Sequence, residues 1–133
     1  MTALDQREIL RVDAIMAWDA SAVFVFGSNR AGVHGGGAAR TAKQHYSAIW
    51  GQGEGLQGRS YGIPTKTTHL ETLAFDDVAE HVARFLAFAR SRPATSFAVT
   101  RVGCGLAGFT DAEIAPLFAD APDNCYLPEG WRP

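Results

Sequence analysis

The sequence predicts a single α/β domain with a mostly parallel central sheet, and three observations carry that prediction. Strand-like stretches at 23–26 and 97–102 alternate with stretches of helical periodicity, as in folds that lay helices against a parallel sheet. Val23-Phe24-Val25-Phe26 is apolar at consecutive positions, which suits a strand covered on both faces. Glycines then cluster where strands hand over to helices, at 35–37 and 103–108, and ligands of open α/β sheets bind beyond the carboxyl ends of the strands.

Each element follows from local chemistry. Residues 4–18 place apolar side chains at Leu4, Ile9, Leu10, Val12, Ile15, Met16 and Trp18, a helical stripe with Thr2 or Asp5 near its start; a short strand at 10–12 is the competing reading. Asp19-Ala20-Ser21 turns into the strand at 23–26, which ends at Gly27-Ser28-Asn29. A loop closes on Gly35-Gly36-Gly37, and the Ala, Arg, Lys and Gln content of 38–49 favours a helix. Residues 51–58 hold four glycines in eight positions and read as a surface loop. A strand at 60–63 stops at Pro64, and Thr65-Lys66-Thr67-Thr68 is a polar connection.

Over 75–90, Val78, Val82, Phe85, Leu86 and Ala89 share one helical face. Asp76 and Asp77 suit the positive start of that helix, and Arg90 and Arg92 its negative end. Pro93 stops it. The strand at 97–102 runs into the third glycine loop, Thr110-Asp111-Ala112-Glu113 forms a capping box that starts a helix, and 125–127 is a last edge strand. Trp18, Trp50 and Trp131 read as packing residues.

The totals narrow the function. A chain of 133 residues fits one domain, 1–133, with a core of its own. A net charge of −2 gives no basic field, so direct nucleic-acid binding is not expected. The two cysteines, Cys104 and Cys125, make no disulfide framework, and no Cys-x-x-Cys or paired-His spacing occurs, so neither a metal nor a cofactor is expected. No apolar run approaches membrane-spanning length, and no basic segment with a long apolar run opens the chain. No signal peptide and no membrane partner are expected, and the expected location is cytoplasmic.

Strand, glycine loop and helix start together aim main-chain N–H groups and a helix dipole at an anion. Two such loops can hold a pyrophosphate through charge-assisted bonds. The first loop is not a Walker motif, because Gly-Lys-Ser/Thr is absent, and it is not a clean G-x-G-x-x-G. The binding candidates are Gly27, Ser28, Asn29, Gly35, Gly36, Gly37 and Ala38 in the first loop, with Gly103, Cys104, Gly105, Leu106, Ala107, Gly108 and Phe109 in the third. Asn29 is read as a ligand contact, with a self-satisfied turn residue as the alternative.

His34 is either a phosphate ligand and acid/base group or a solvated loop histidine. Glu54 is a general base, a ribose contact or a solvated charge, and Lys66 either balances phosphate charge or is a surface lysine. A reactive Cys104 thiolate needs a base within reach, and a small buried residue is the favoured reading.

Asn29-Arg30-Ala31-Gly32-Val33-His34-Gly35-Gly36-Gly37-Ala38 resembles the macrodomain signature, in which an asparagine ends a buried strand and a glycine triplet opens a helix. Gly105-Leu106-Ala107-Gly108-Phe109 resembles the second macrodomain loop. The resemblance spans about 20–110 and is shared with a compact branch of bacterial and phage-associated macro-like proteins. It implies a three-layer α/β/α domain whose two loops wrap the diphosphate and distal ribose of ADP-ribose. Asn29 would hydrogen-bond that ribose and Phe109 pack against it. The implied partner is an ADP-ribose-type nucleotide or an ADP-ribosylated macromolecule.

Hydrolysis of an ADP-ribosyl bond is the enzymatic expectation, with Asn29 orienting ribose or water and His34 or Glu54 moving protons. Asp13 is the expected adenine-binding acid, with Asp19 as the alternative. This chain departs from the family in having Gly27-Ser28-Asn29 where Asn-Ala-Ala-Asn is usual, and in lacking a Gly-Asp-Ile context at either aspartate. The alternative function is a Rossmann-like nucleotide-binding module without ADP-ribose specificity or catalysis.

Overall fold

A computed structural model describes residues 6–133. Leu4, Thr2 and Asp5, expected at the start of the first helix, lie outside them. The elements in chain order are α1 (Gln6–Trp18), β1 (Val23–Asn29), α2 (Gly37–His45), β2 (Gly55–Gln57), β3 (Ser60–Lys66), α3 (Phe75–Arg90), β4 (Phe97–Val99), α4 (Asp111–Ile114) and β5 (Cys125–Tyr126); a 3-10 turn, Ala115–Phe118, follows α4.

The strands form one mixed sheet in the order β2-β3-β1-β4-β5. β1 is central and parallel to both β3 and β4, β4 is parallel to β5, and β2 is antiparallel to β3. Alternation along β1 divides the core between the two sheet faces. Val23 and Val25 pack with Val82 and Phe85 of α3, and with Phe97 and Phe118, while Phe24 and Phe26 pack with Val12 and Met16 of α1 and Ala38 and Ala42 of α2.

The structure corrects several expectations. The buried positions of α1 are Glu8, Val12 and Met16, four residues apart, whereas Ile9, Leu10 and Trp18 are exposed. No strand forms at 10–12. Burial of Glu8 is offset because its carboxylate accepts from Arg11 (2.9 Å) and from the Arg101 N–H (3.0 Å). Trp50 is also exposed, at 58%; Trp131, at 3%, is a packing residue.

β1 continues through Gly27 and Ser28 to Asn29, so the loop starts later than expected. α2 stops at His45, short of residue 49, where Ser47 takes a left-handed φ of 64°. β4 ends at Val99 rather than at 102. β3 runs through Pro64 to Lys66, taking in Thr65 and Lys66. It does so because pairing with β2 reaches no further along β3 than Gly62, opposite Gly55, so no β2 residue faces Pro64, which has no N–H to give.

The glycine-rich segment 51–58 is the largest departure, since it supplies β2. Its glycines permit close backbone approach. A Cβ on Gly53 would stand 2.2 Å from the Asn29 carbonyl oxygen, and a Cβ on Gly32 would stand 2.3 Å from the Gly51 carbonyl carbon. The second glycine segment is therefore a wedge under the turn that leaves β1.

Candidate functional site

The carboxyl ends of β1 and β3 and the segment after β4 enclose a cleft of about 200 Å³. Gly27, Ser28 and Asn29 reach it from β1, and Gly35, Gly36, Gly37 and Ala38 from the loop that opens α2. Gly103, Gly105, Leu106 and Ala107 meet them from the third glycine loop. The two loops thus share one cleft, as their motifs predicted. Lys66, read from the sequence as either a phosphate-balancing charge or a surface lysine, lines it too, as do Val33, Ala39, Thr65, Leu70, Thr100 and Arg101, which were not marked. The signal for several of these was positional, since Thr65, Lys66, Thr100 and Arg101 sit where neighbouring parallel strands end.

Unpaired main-chain donors concentrate here. Gly36 is the N-cap of α2 in extended backbone (φ −151°, ψ 161°), and no side chain caps the helix. The first turn closes with Arg40 N–H donating to the Gly36 carbonyl at 3.2 Å, so the N–H groups of Gly37, Ala38 and Ala39 precede any intrahelical acceptor. In the third loop, Cys104 donates to the Arg101 carbonyl (3.1 Å), Gly108 to that of Gly105 (3.1 Å) and Phe109 to that of Gly103 (2.9 Å). The N–H groups of Gly105, Leu106 and Ala107, between these bonds, take no partner among the described residues. Gly103 holds φ +79°, and a Cβ there would crowd Phe109 at 3.3 Å and Ile114 at 3.4 Å.

The charged residues lining the cleft are cationic. Arg101 is paired with Asp111 at 2.7 Å. Lys66 has no ion-pair partner among the described residues, so its charge is left for the cleft.

The neutral polar side chains of the cleft are bonded to main chain. Asn29 Nδ2 donates to the Val33 carbonyl (2.7 Å) and Asn29 Oδ1 accepts from the Val33 N–H (2.9 Å), which clamps the turn between β1 and the glycine triplet. Ser28 Oγ donates to Gly53 (2.6 Å), Thr65 Oγ1 to Ser28 (3.2 Å) and Thr100 Oγ1 to Val25 (2.8 Å), each to a carbonyl.

Several candidates lie elsewhere. His34 is 2% exposed and does not line the cleft, so it is neither a phosphate contact there nor a solvated loop residue. Its Nε2 faces two acceptors, the Gln52 carbonyl at 3.1 Å and Gln57 Oε1 at 3.2 Å, so Nε2 carries the ring proton and Nδ1 is left without a partner. Its ring stands edge-on to Phe26 at 5.3 Å. Glu54 does not line the cleft either: its Oε2 accepts from His81 Nδ1 (2.7 Å), and its carboxylate also pairs with Arg84 (3.3 Å). His81 was not singled out from the sequence, although position 81 falls on the buried face of α3.

Asp13 and Asp19 lie toward the far end of the sheet. Asp13 is exposed on α1 beside Tyr46, whose phenol is pushed upward by burial and then by the Asp13 charge. Tyr46 stacks on Phe24, near the start of β1. Asp19 Oδ1 accepts from the Ser21 N–H before β1 begins. A strand of seven residues, about 20 Å, separates that turn from Asn29.

Cys104, Gly108 and Phe109 belong to the third loop but do not line the cleft. Cys104 is half-buried; burial, then the Asp111 charge, pushes its thiol up to about 12, which removes the thiolate at neutral pH. Burial alone would raise the Asp111 carboxyl, but hydrogen bonds from Trp131 and Arg101 hold it below its ordinary value.

Among the described residues, no three His, Cys, Asp or Glu side chains gather to hold a metal ion, and no helix is long and apolar enough to cross a membrane. Comparison of the chain with protein-family models, with curated proteins and with solved structures finds no match.

Proposed function

We propose that this chain is a macro-like α/β/α domain that binds an ADP-ribose-type nucleotide, free or attached to a macromolecule, through its diphosphate. One observation carries the proposal: unpaired main-chain N–H groups from Gly37–Ala39 and Gly105–Ala107 border a single cleft whose charged residues are Lys66 and Arg101. Each N–H donating to an anionic oxygen makes a charge-assisted bond, and the positive end of α2 adds to the attraction. The distal ribose would adjoin Asn29 at the end of β1.

The geometry favours binding over hydrolysis. Of Asn29, His34 and Glu54, Asn29 alone lines the cleft, and its amide is already held by Val33. A general acid or base must come within hydrogen-bond reach of the reacting atoms, and His34 and Glu54 are engaged with Gln57 and His81 instead. The two free thiols, Cys104 and Cys125, fit a reducing, cytoplasmic setting.

Calorimetric titration with ADP-ribose tests the proposal. The expected result is a dissociation constant in the micromolar range or tighter. No heat with ADP-ribose, alongside heat with another nucleotide, would instead favour a nucleotide module without ADP-ribose specificity. The distance of Asp13 and Asp19 from the cleft is the observation on that side.

A further inference from the structure

Two leucines stand at the cleft with their side chains unspent. Leu106, 63% exposed, lies on the third glycine loop, and Leu70, 47% exposed, on the turn that follows β3. Leu106 Cδ1 is 3.6 Å from the point a Cβ on Gly36 would occupy, so it lies over the start of α2.

Leu70 is held in a left-handed conformation, φ 64°, which a leucine keeps only where its surroundings impose it. Those surroundings are identifiable. Leu70 N–H donates to the Thr67 carbonyl (3.0 Å), Thr67 Oγ1 accepts from both His69 and Glu71 N–H (3.2 Å each), and Lys66 and Thr72 form an antiparallel bridge. Thr72 Oγ1 then donates to the Ala107 carbonyl at 2.8 Å, which ties the Leu70 turn to the Leu106 loop. The bonds fix the backbone that carries two apolar side chains to the same opening.

What remains for a ligand is therefore simple in kind. Ser28, Asn29, Thr65 and Thr100 give their hydrogen bonds to backbone, and Arg101 is paired with Asp111. The cleft offers main-chain N–H groups and Lys66 to an anion, and the aliphatic surfaces of Leu70 and Leu106 to whatever the anion is attached to. Reading a base needs donors and acceptors matched to its edge, whereas an aliphatic surface packs against any sugar or ring.

We propose that Leu70 and Leu106 determine specificity here: they clamp the uncharged part of an organic diphosphate, so the cleft selects diphosphate esters over inorganic anions while accepting different nucleobases. This rests on the diphosphate reading of the cleft given above.

The test uses the full chain and three probes, ADP-ribose, its guanine counterpart GDP-ribose, and inorganic pyrophosphate, each titrated by calorimetry. The wild-type chain is expected to bind ADP-ribose and GDP-ribose within about threefold of each other and pyrophosphate at least about tenfold more weakly, the scale set by burying one aliphatic side chain. Leu106→Ser and Leu70→Asn are the variants; asparagine tolerates the left-handed φ, and thermal melts confirm that each still folds.

Each substitution is expected to weaken both nucleotides about fivefold to tenfold and pyrophosphate less than twofold. Equal weakening of all three probes, or no weakening of the nucleotides, would overturn the role of the leucines. Wild-type preference for ADP-ribose over GDP-ribose by more than about thirtyfold, roughly 2 kcal/mol, would overturn base tolerance and leave the diphosphate site standing. Failure of all three probes to bind the wild-type chain would remove the diphosphate site and this inference with it.

Discussion

Gly36 and Leu106 meet across the cleft: a Cβ on the glycine would lie 3.6 Å from the leucine Cδ1, an ordinary contact distance. The backbone of Gly36 is extended, φ −151°, which any residue adopts. Gly36→Ala is therefore expected to fold and bind like the parent chain. Gly36→Glu adds a carboxylate where the α2 amides point, and ADP-ribose affinity should fall at least about a hundredfold with little change in melting temperature. Calorimetry paired with thermal melts checks both substitutions.

Gly53 supports the turn after β1 from beneath. A Cβ there would sit 2.2 Å from the Asn29 carbonyl oxygen and 3.2 Å from Arg30 Cα, both backbone atoms with little room to shift. Gly53→Ala should lose about 2–3 kcal/mol of stability by overpacking, read as a drop in denaturant midpoint at unchanged slope. Gly35→Ala, whose Cβ meets only Val33 Cγ1 at 4.0 Å, is the control expected to stay within about 0.5 kcal/mol.

Lys66 lines the cleft and has no ion-pair partner among the described residues. Lys66→Ala should weaken ADP-ribose and pyrophosphate alike, by about tenfold at low salt, and the loss should shrink as salt rises through 0.5 M. Titrations at two ionic strengths test this. Equal weakening of both probes separates the lysine from the leucines, which should act on the nucleotide alone.

Alkali should destabilise the fold. Burial first of all pushes the Cys104 thiol to about 12, the Cys125 thiol to about 11 and the Tyr61 phenol to about 12, from ordinary values of 9.0, 9.0 and 10.0. These groups are neutral when protonated, so between pH 9 and 12 the folded chain holds protons that the unfolded chain has released. Stability is then lost as pH rises through that window. Melting temperature should be steady up to about pH 9 and fall above it, and Cys125→Ala should flatten the decline. At neutral pH Cys104 should resist iodoacetamide until the chain unfolds.

Some of the fold could be read directly from neighbours along the chain. α3 runs from Phe75 to Arg90, as its periodicity and the following Pro93 indicate. The Thr110–Glu113 capping box forms reciprocally, with Thr110 Oγ1 accepting from Glu113 N–H at 3.2 Å and Glu113 Oε1 accepting from Thr110 N–H at 2.9 Å. The meeting of the two glycine loops was legible too, because both follow parallel strands and parallel strands share an end. His34 and Glu54 were not legible as structural groups, since Gln57 and His81, which occupy them, lie 23 and 27 residues away in the chain.

The sequence by itself determined the apolar face of α3, the Thr110–Glu113 cap and the order of strand, glycine loop and helix, because those depend on residues within a turn or two of each other. Only the tertiary structure decided that 55–57 becomes an antiparallel edge strand, that Pro64 is tolerated inside β3, and that Glu8 is buried while Ile9 and Leu10 are not. Each of those outcomes was settled by the assembled surroundings: pairing with the adjoining β3 for β2, the sheet edge beyond Gly62 for Pro64, and the Arg101 N–H, 93 residues away in the chain, for Glu8. Packing and hydrogen-bond satisfaction are properties of the assembled neighbours, and propensity along the chain carries no record of them.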